Sequence, residues 1–213
     1  DARGVAVLCG SESDCELRDL HAQGVRGVRL NLSMGVVGSA DMLEPLAHRI
    51  APFGWHLQLL LQPDALVDLA PVVERLPVAL VFDHFGRISP PDAGVHPAHA
   101  LILDLLRDDR AWVKLSGGYI VSSMRTVLDP ALDALANSYL RAAPRRIVWG
   151  SDWPHATASA GVQPMPDDAR QLERLSEWID QSGDAATLRR VLVDNRGGPA
   201  NLNSPLSGGP AHI

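Results

Sequence analysis

Short apolar runs recur along the chain, each bounded by turn-forming residues and followed by a stretch of helical periodicity. This alternation is expected of βα units around a parallel sheet. The runs are almost continuously hydrophobic, which is typical of strands covered on both faces. Six strands are therefore predicted, at residues 4–8, 27–31, 55–60, 78–82, 112–116 and 146–150.

The stretches between these runs place apolar residues at helical spacing. Helices are predicted at residues 14–23, 42–51, 65–76, 98–107, 130–142, 166–179 and 185–192. Gly24 is placed to end the first helix, and Pro166 to open the sixth, because its fixed φ suits the first helical position. Residues 1–195 are predicted to form one domain, and residues 196–213, rich in Gly, Pro, Ser and Asn, a disordered tail.

Six βα units fit either an open doubly wound sheet or most of a closed (β/α)₈ barrel of the TIM type. Polar residues stand at or just after the ends of five runs: Arg29, Asn31, Gln58, Gln62, Asp83, His84, Lys114, Ser116, Asp152 and His155. Barrel active sites are built from such strand ends. No Gly-x-Gly-x-x-Gly or Gly-x-x-x-x-Gly-Lys-Ser/Thr loop follows a strand, so a dinucleotide or phosphate-loop fold is disfavoured.

Composition narrows the class of partner. The chain is 46% hydrophobic and 21% charged, with a net charge of -6, and its basic residues are scattered, so nucleic acid is not an expected partner. No apolar run is long enough to span a membrane. With only two cysteines, Cys9 and Cys15, no disulfide framework is implied and a cytoplasmic location is expected. A small-molecule substrate is the expected partner.

Asp152 and His84 are the candidate catalytic residues. The Asp152 carboxylate follows a strand and precedes Trp153 and Pro154, and partial burial there would make it a usable general base. The alternative is that Asp152 only caps a helix or stabilises a turn. His84 would hydrogen-bond a substrate carbonyl or bind a metal, although a single histidine at a strand end is more often structural.

Several cationic and polar residues are candidate substrate-binding groups. Arg29, Arg87, Lys114 and Arg125 would bind a carboxylate, and the Tyr119 hydroxyl would add a hydrogen bond to the same pocket. Most arginines are simply solvated, and a loop tyrosine is often only packed. No His-Glu-x-x-His, Cys-x-x-Cys or Gly-x-Ser-x-Gly motif occurs, so zinc-protease and serine-hydrolase functions are disfavoured.

Three motifs resemble the amidohydrolase-related family, particularly its branch of 2-pyrone-4,6-dicarboxylate lactonases and sugar lactonases. They are Asp83-His84-Phe85-Gly86-Arg87, Val113-Lys114-Leu115-Ser116-Gly117 and Trp149-Gly150-Ser151-Asp152-Trp153-Pro154-His155. The resemblance implies a distorted TIM barrel in which Asp152 activates the hydrolytic water and His84 polarises the scissile carbonyl. It also implies that Arg29, Arg87 and Arg125 contact substrate. Gln58 and His155, which stand at or after strand ends, are further candidate substrate contacts.

Three features depart from the family pattern. The family's first strand carries a His-x-His pair, and nothing before Gly4 supplies it, so the first two barrel strands are expected to be absent. The open edges of such a sheet would invite pairing with another chain, so a homo-oligomer is an expectation. Ile120 follows Tyr119 where this branch often has an arginine. The family's Asp-Asn-Pro-Ala-Arg ending is here Asp194-Asn195-Arg196.

Three functions stay open at this stage. The first is a lactone hydrolase acting on a carboxylated or sugar-acid substrate. The second is a metal-dependent decarboxylase on the same scaffold. The third is a non-catalytic fragment that lacks the His-x-His strand. Either no cofactor or one zinc ion is expected, and Asp152 and His84 would be its ligands in this chain.

Overall fold

The computed structural model describes residues 2–33, 40–182 and 186–197. Six strands form one sheet: β1 (Gly4–Ala6), β2 (Val25–Asn31), β3 (His56–Leu60), β4 (Leu80–Phe82), β5 (Ala111–Leu115) and β6 (Ile147–Trp149). All six predicted strands are confirmed, with their ends within about two residues of the predicted ones, as is usual for element boundaries.

The strands are connected by helices in the predicted places. The helices are α1 (Asp14–Ala22), α2 (Leu43–Ile50), α3 (Pro63–Asp68), α4 (Ala70–Val73), α5 (Pro97–Arg107), α6 (Gly118–Val121), α7 (Ala131–Ala142), α8 (Ala156–Ser159), α9 (Asp168–Ser182) and α10 (Ala186–Leu192). The single helix predicted at residues 65–76 is wrong. It is divided into α3 and α4, because Pro71 has no N–H to continue the α3 hydrogen-bond ladder. The short helices α6 and α8, which follow β5 and β6, were not predicted.

The order of the strands decides between the two predicted architectures. The sheet runs from β1 to β6 in chain order, and every neighbouring pair is parallel. A doubly wound sheet reverses its strand order at a switch point, and this sheet does not. The fold is therefore an α/β half-barrel of six parallel strands. Within the described residues, the edge strands β1 and β6 each pair on one side only.

The two faces of the sheet differ in chemistry because successive side chains alternate between them. Leu57 and Leu59 of β3 join the main hydrophobic core beneath the helices, whereas Gln58 between them points to the concave face. Val81, Trp112 and Val148 form a second, smaller cluster on that concave face. Polar side chains line the same face at the carboxyl ends of the strands, and that is where a barrel places its site.

Capping hydrogen bonds and a glycine determine where two of the helices begin or end. Ser13 and Glu16 form a capping box at the start of α1, and Gly24, at φ +98°, comes after its last turn. Pro166 does not open α9. The Asp167 carboxylate accepts hydrogen bonds from the backbone N–H groups of Ala169 and Arg170, so the helix begins at Asp168. No helix among the described residues is long and apolar enough to cross a membrane.

Hydrogen bonds also anchor the chain near the end of the predicted domain, at residue 195. Asn195 is buried, and its Nδ2 donates to the backbone oxygens of Pro144, at 2.9 Å, and Ile147, at 2.7 Å. This fixes the 3₁₀ turn Asp194–Gly197 to the start of β6. Residues 198–213 of the predicted tail lie outside the described residues.

Candidate active site

Asp83 lies at the centre of a charged cluster on the concave face. Its carboxylate follows β4 directly, and the side chain is only 1% exposed. Lys114 Nζ from β5 lies 2.7 Å from Oδ1, and Arg29 Nε from β2 lies 3.0 Å from Oδ2. Gln58 Nε2 from β3 donates to Oδ2 at 2.7 Å. Side chains from four neighbouring strands are thus joined through one buried carboxylate.

The charges of this cluster do not balance. Burial opposes ionisation of Asp83, but the positive charges of Lys114 and Arg29, joined by His84 at the acidic pH where its ring is protonated, outweigh it, so the pKa of Asp83 lies below its usual range. One carboxylate then faces two basic side chains, Lys114 and Arg29. The Arg29 and Lys114 side chains remain 35% and 26% exposed. The group of Asp83, Arg29 and Lys114 therefore carries one excess positive charge that is accessible to an anionic ligand, while Asp152, beside His84, adds a negative charge to the site.

His84 occupies the turn immediately after Asp83. Its backbone and those of Phe85 and Arg87 have positive φ values of 49°, 56° and 61°, which are unfavourable for residues with a Cβ. The imidazole is buried, with Nδ1 3.0 Å from Ser116 Oγ and Nε2 3.6 Å from Asp152 Oδ1. Burial lowers the pKa of His84 despite the nearby Asp83 and Asp152 carboxylates. The ring is therefore neutral at neutral pH.

Asp152 is presented by the loop after β6 and is held by a tyrosine. Tyr119 from α6 donates its hydroxyl to Asp152 Oδ2 at 2.7 Å. Burial and this hydrogen bond to a carboxylate raise the pKa of Tyr119, so the phenol keeps its proton. Asp152 Oδ1 faces His84 instead. The carboxylate thus has one oxygen held by Tyr119 and one directed at the imidazole.

His155 and Asp168 extend this cluster toward the surface. His155 is buried, with Nδ1 3.4 Å from the Tyr119 hydroxyl oxygen and Nε2 3.1 Å from Asp168 Oδ1. The site therefore combines three groups: a carboxylate that can accept a proton, a neutral imidazole that can donate a hydrogen bond, and a pair of cations. These are the groups that hydrolysis of an acidic ester would use.

Comparison with known proteins gives the family. The amidohydrolase family profile matches residues 2–195. The chain belongs to the amidohydrolase family. It is 34% identical over 209 residues to a 2-pyrone-4,6-dicarbaxylate hydrolase of Comamonas testosteroni, covering 91% of this chain and 65% of that protein. It is 33% identical over 191 residues to a 4-sulfomuconolactone hydrolase of Rhizobium radiobacter, covering 88% and 61%.

A solved structure has the same fold. The fold superposes on a ligand-free Agrobacterium tumefaciens protein with a TM-score of 0.79 and 26% identity, covering 94% of this chain and 70% of the other. The family resemblance predicted from the three motifs is therefore confirmed. This amidohydrolase chain spans less than two thirds of the length of the two curated relatives named above.

The structure brings most of the predicted site residues of this amidohydrolase together. Arg29, Gln58 and Lys114 meet at Asp83, while Tyr119 contacts Asp152 and His155 contacts Tyr119. Gln58 and His155 are buried and bonded to protein groups. Their assignment as substrate contacts stays a prediction.

Two predicted substrate-binding arginines lie apart from these contacts. Arg125 is exposed on the turn after α6, and none of its hydrogen bonds within the described residues reaches a predicted site residue. Arg87 is half-buried, and its Nε has no hydrogen-bond partner there. Burial lowers the pKa of Arg87. Both assignments stay predictions.

Three residues of the cluster were not assigned a role from the sequence. Asp83 was seen as part of a motif and Ser116 as a polar strand end, but their links to Lys114 and His84 were not foreseen. Asp168 lies in α9, and no motif signals it. The strand-end position was a usable signal for Asp83 and Ser116. For Asp168 no local signal exists, because its contact with His155 joins residues from separate elements.

The described residues supply too few donor groups for the zinc ion that the sequence left open. Catalytic zinc sites use three protein ligands with nitrogen, sulfur or oxygen donors. His84 Nε2 and Asp152 Oδ1 face each other at 3.6 Å, but no group of three or more His, Cys, Asp or Glu side chains suited to a metal occurs among the described residues. The residues described here do not by themselves fit a zinc ion, which would need ligands from elsewhere.

Proposed function

We propose that this amidohydrolase chain contains the larger part of the active site of a hydrolase that opens a carboxylated lactone. The observation that carries the proposal is the approach of His84 Nε2 to Asp152 Oδ1, at 3.6 Å, from the ends of different strands. The hydrolases named above, which are similar to this chain, act on lactones by their names. The excess positive charge around Asp83 suits an acidic substrate of this kind.

Asp152 would act as the general base. Its Oδ1 would take a proton from water while the water oxygen attacks the lactone carbonyl carbon. The ring C–O bond then breaks, and the proton held by Asp152 passes to the departing oxygen. Tyr119 keeps Oδ2 occupied, so Oδ1 is the oxygen available to water.

His84 would stabilise the negative charge that develops on the carbonyl oxygen. If the Ser116 hydroxyl donates to Nδ1 at 3.0 Å, the proton of the neutral imidazole is on Nε2. That N–H is a hydrogen-bond donor beside the base, as an oxyanion site requires. Arg29 and Lys114, anchored on Asp83, would bind the substrate carboxylate.

We also propose that the six strands are part of an eight-stranded barrel whose other two strands carry a His-x-His pair. The His-x-His pair is what the family resemblance implies, and three observations support the further strands. The relatives are longer than this chain. The edge strands β1 and β6 pair on one side only within the described residues. Trp112 Nε1, on the concave face, is buried with no hydrogen-bond partner there.

Replacement of the base tests the assigned activity. Asp152→Asn, in the longest open reading frame that contains this chain, is expected to lower turnover of carboxylated lactones by at least about a hundredfold, because the amide cannot take the proton. Product formation is followed by pH-stat, and the fold by circular dichroism. Asp104→Asn, on the exposed face of α5, is the matched control and is expected to keep full activity. Undiminished turnover by Asp152→Asn would sink the assignment.

The 213-residue chain by itself is expected to hydrolyse these lactones poorly, because part of the oxyanion site would be missing. Rapid hydrolysis by this chain alone contradicts the proposed barrel completion. If neither the 213-residue chain nor the protein from the longest reading frame hydrolyses any carboxylated lactone tested, a non-catalytic role is favoured. The cytoplasmic location and the homo-oligomer stay predictions. The two cysteines on which the predicted location rests are exposed and form no disulfide.

A further inference from the structure

A series of contacts connects the protein surface to the Asp152 carboxylate. Asp168, whose side chain is 46% exposed, lies 3.1 Å from His155 Nε2. His155 Nδ1 lies 3.4 Å from the Tyr119 hydroxyl oxygen, and that hydroxyl donates to Asp152 Oδ2 at 2.7 Å. The mechanism above uses only Asp152 and Tyr119 from this series. His155 and Asp168 therefore need a separate explanation.

Asp168 sets the orientation of the His155 ring. The Asp168 carboxylate is placed to accept a hydrogen bond from Nε2, and this leaves the Nδ1 edge of the ring facing the Tyr119 hydroxyl oxygen. That hydroxyl donates its one proton to Asp152, so His155 and Tyr119 meet in a packing contact. The two aromatic rings also pack edge to face, with centroids 6.2 Å apart and planes at 68°. His155 thus contacts Tyr119 both at the hydroxyl and through the packed rings.

Helix α9 also holds Asp168 and the loop that carries Asp152 through a second side chain, Gln171. Gln171 Nε2 donates to Asp168 Oδ1 and to the backbone oxygen of Ser151, both at 3.0 Å. The loop between these contacts has positive φ at Asp152 (69°) and His155 (57°). Such values cost about 1–2 kcal/mol per residue, so the loop depends on side-chain contacts to keep its shape.

We propose that His155 and Asp168 are positioning residues of the site. Through Tyr119 they fix the Asp152 carboxylate with Oδ2 occupied and Oδ1 directed at His84. The inference deepens the proposed function and rests on it, since it needs Asp152 to be the base. Neither residue touches the substrate in this role.

The chain offers a direct spectroscopic test because it contains only two tyrosines, Tyr119 and Tyr139. Protein labelled with [¹³Cζ]tyrosine gives two signals, and Tyr119→Phe assigns them. His155→Phe keeps a ring but removes both nitrogens, and Asp168→Ala removes the carboxylate. Each is expected to shift the Tyr119 signal by more than its linewidth.

Two internal controls make the spectrum decisive. Tyr139 donates to the backbone oxygen of Phe85 at 2.9 Å, so its signal is expected to stay in place if the fold is intact. Asp180→Ala removes a charge from the exposed face of the same helix and is expected to move neither signal. A Tyr119 signal that stays unshifted in both His155→Phe and Asp168→Ala overturns the proposal.

Steady-state kinetics of the protein encoded by the longest reading frame test whether the positioning of Asp152 affects turnover. His155→Phe is expected to lower kcat between about tenfold and about a hundredfold, as for a misplaced catalytic group, with KM within about twofold. If the Tyr119 signal shifts and Asp152→Asn abolishes turnover but His155→Phe leaves kcat unchanged, the positioning role is wrong. If Asp152→Asn retains full turnover, the proposed function fails and the positioning role with it. The NMR spectrum still decides whether the contact exists.

Discussion

Gly117 gives His84 the space it occupies in the site. The backbone there has φ +58°, and a Cβ at this position would lie 2.8 Å from both His84 Nδ1 and Ile120 Cδ1. An alanine would therefore have to displace the imidazole or the neighbouring side chain. The orientation of His84 depends on a residue that contributes no side chain.

Gly117→Ala is expected to destabilise the chain by about 2 kcal/mol or more, combining left-handed backbone strain of about 1–2 kcal/mol with the steric conflict. Gly94→Ala is the matched control. It has φ +77° but nothing within 4 Å of the added Cβ, so only the backbone strain is expected. Urea unfolding of both variants measures the difference. Equal losses would contradict the proposed conflict with His84.

At the level of elements, α9 links the site to the helical layer. Arg174 pairs with Asp133 of α7 and with Glu177, and its Nε donates to the backbone oxygen of Val127 at 3.1 Å. Trp178 Nε1 donates to Asp133 Oδ1 at 2.8 Å. Asp133 thus holds two side chains of the helix that also carries Asp168. The docking of α9 and the geometry of the site are coupled.

Asp133→Ala is expected to lower the free energy of unfolding by about 2 kcal/mol. Removing one partner of a buried ion pair costs about 3–5 kcal/mol, and the value is reduced here because Asp133 is 32% exposed and Arg174 keeps Glu177. Glu173→Ala, which breaks an exposed pair with Arg170 on the same helix, is expected to cost less than about 1 kcal/mol. Similar losses in both variants would rule out a special role for Asp133.

At the scale of the whole molecule, three histidines take protons less readily in the folded state. Burial lowers the pKa of His84, His21 and His99, aided at the last two by Arg26 and Arg107 respectively. The unfolded chain therefore binds more protons than the folded chain just below the ordinary histidine pKa of about 6.5. This contribution to stability is fully present above that pH and decreases as the pH falls.

The free energy of unfolding is thus expected to be lower at pH 5.5 than at pH 7.5. Urea titrations with a constant m-value measure it, and His99→Gln is expected to reduce the difference. Asp83 adds a further loss only in stronger acid, because its pKa lies below its usual range and its stabilisation persists above the unfolded value. Stability that is constant or rises toward pH 5.5 contradicts the burial of neutral histidines.

Much of this architecture follows from local sequence. The alternation of apolar runs with helical spacing predicted six βα units, because strand and helix periods are properties of short segments. The same pattern placed Asp152, His84, Lys114 and Arg29 at strand ends. Pro71 and Asp167 show the limits of local pattern. Pro71 lacks one backbone donor and the Asp167 carboxylate accepts two hydrogen bonds, and each moves a helix boundary.

Only the tertiary structure decided which of these residues meet. Sequential strand order distinguished a half-barrel from a doubly wound sheet, and strand register joined Arg29, Gln58 and Lys114 through Asp83. The packing of α9 brought Asp168 to His155, while Arg125 was left exposed. Periodicity fixes where a strand ends, but contacts between distant segments depend on register and packing, which no short segment encodes.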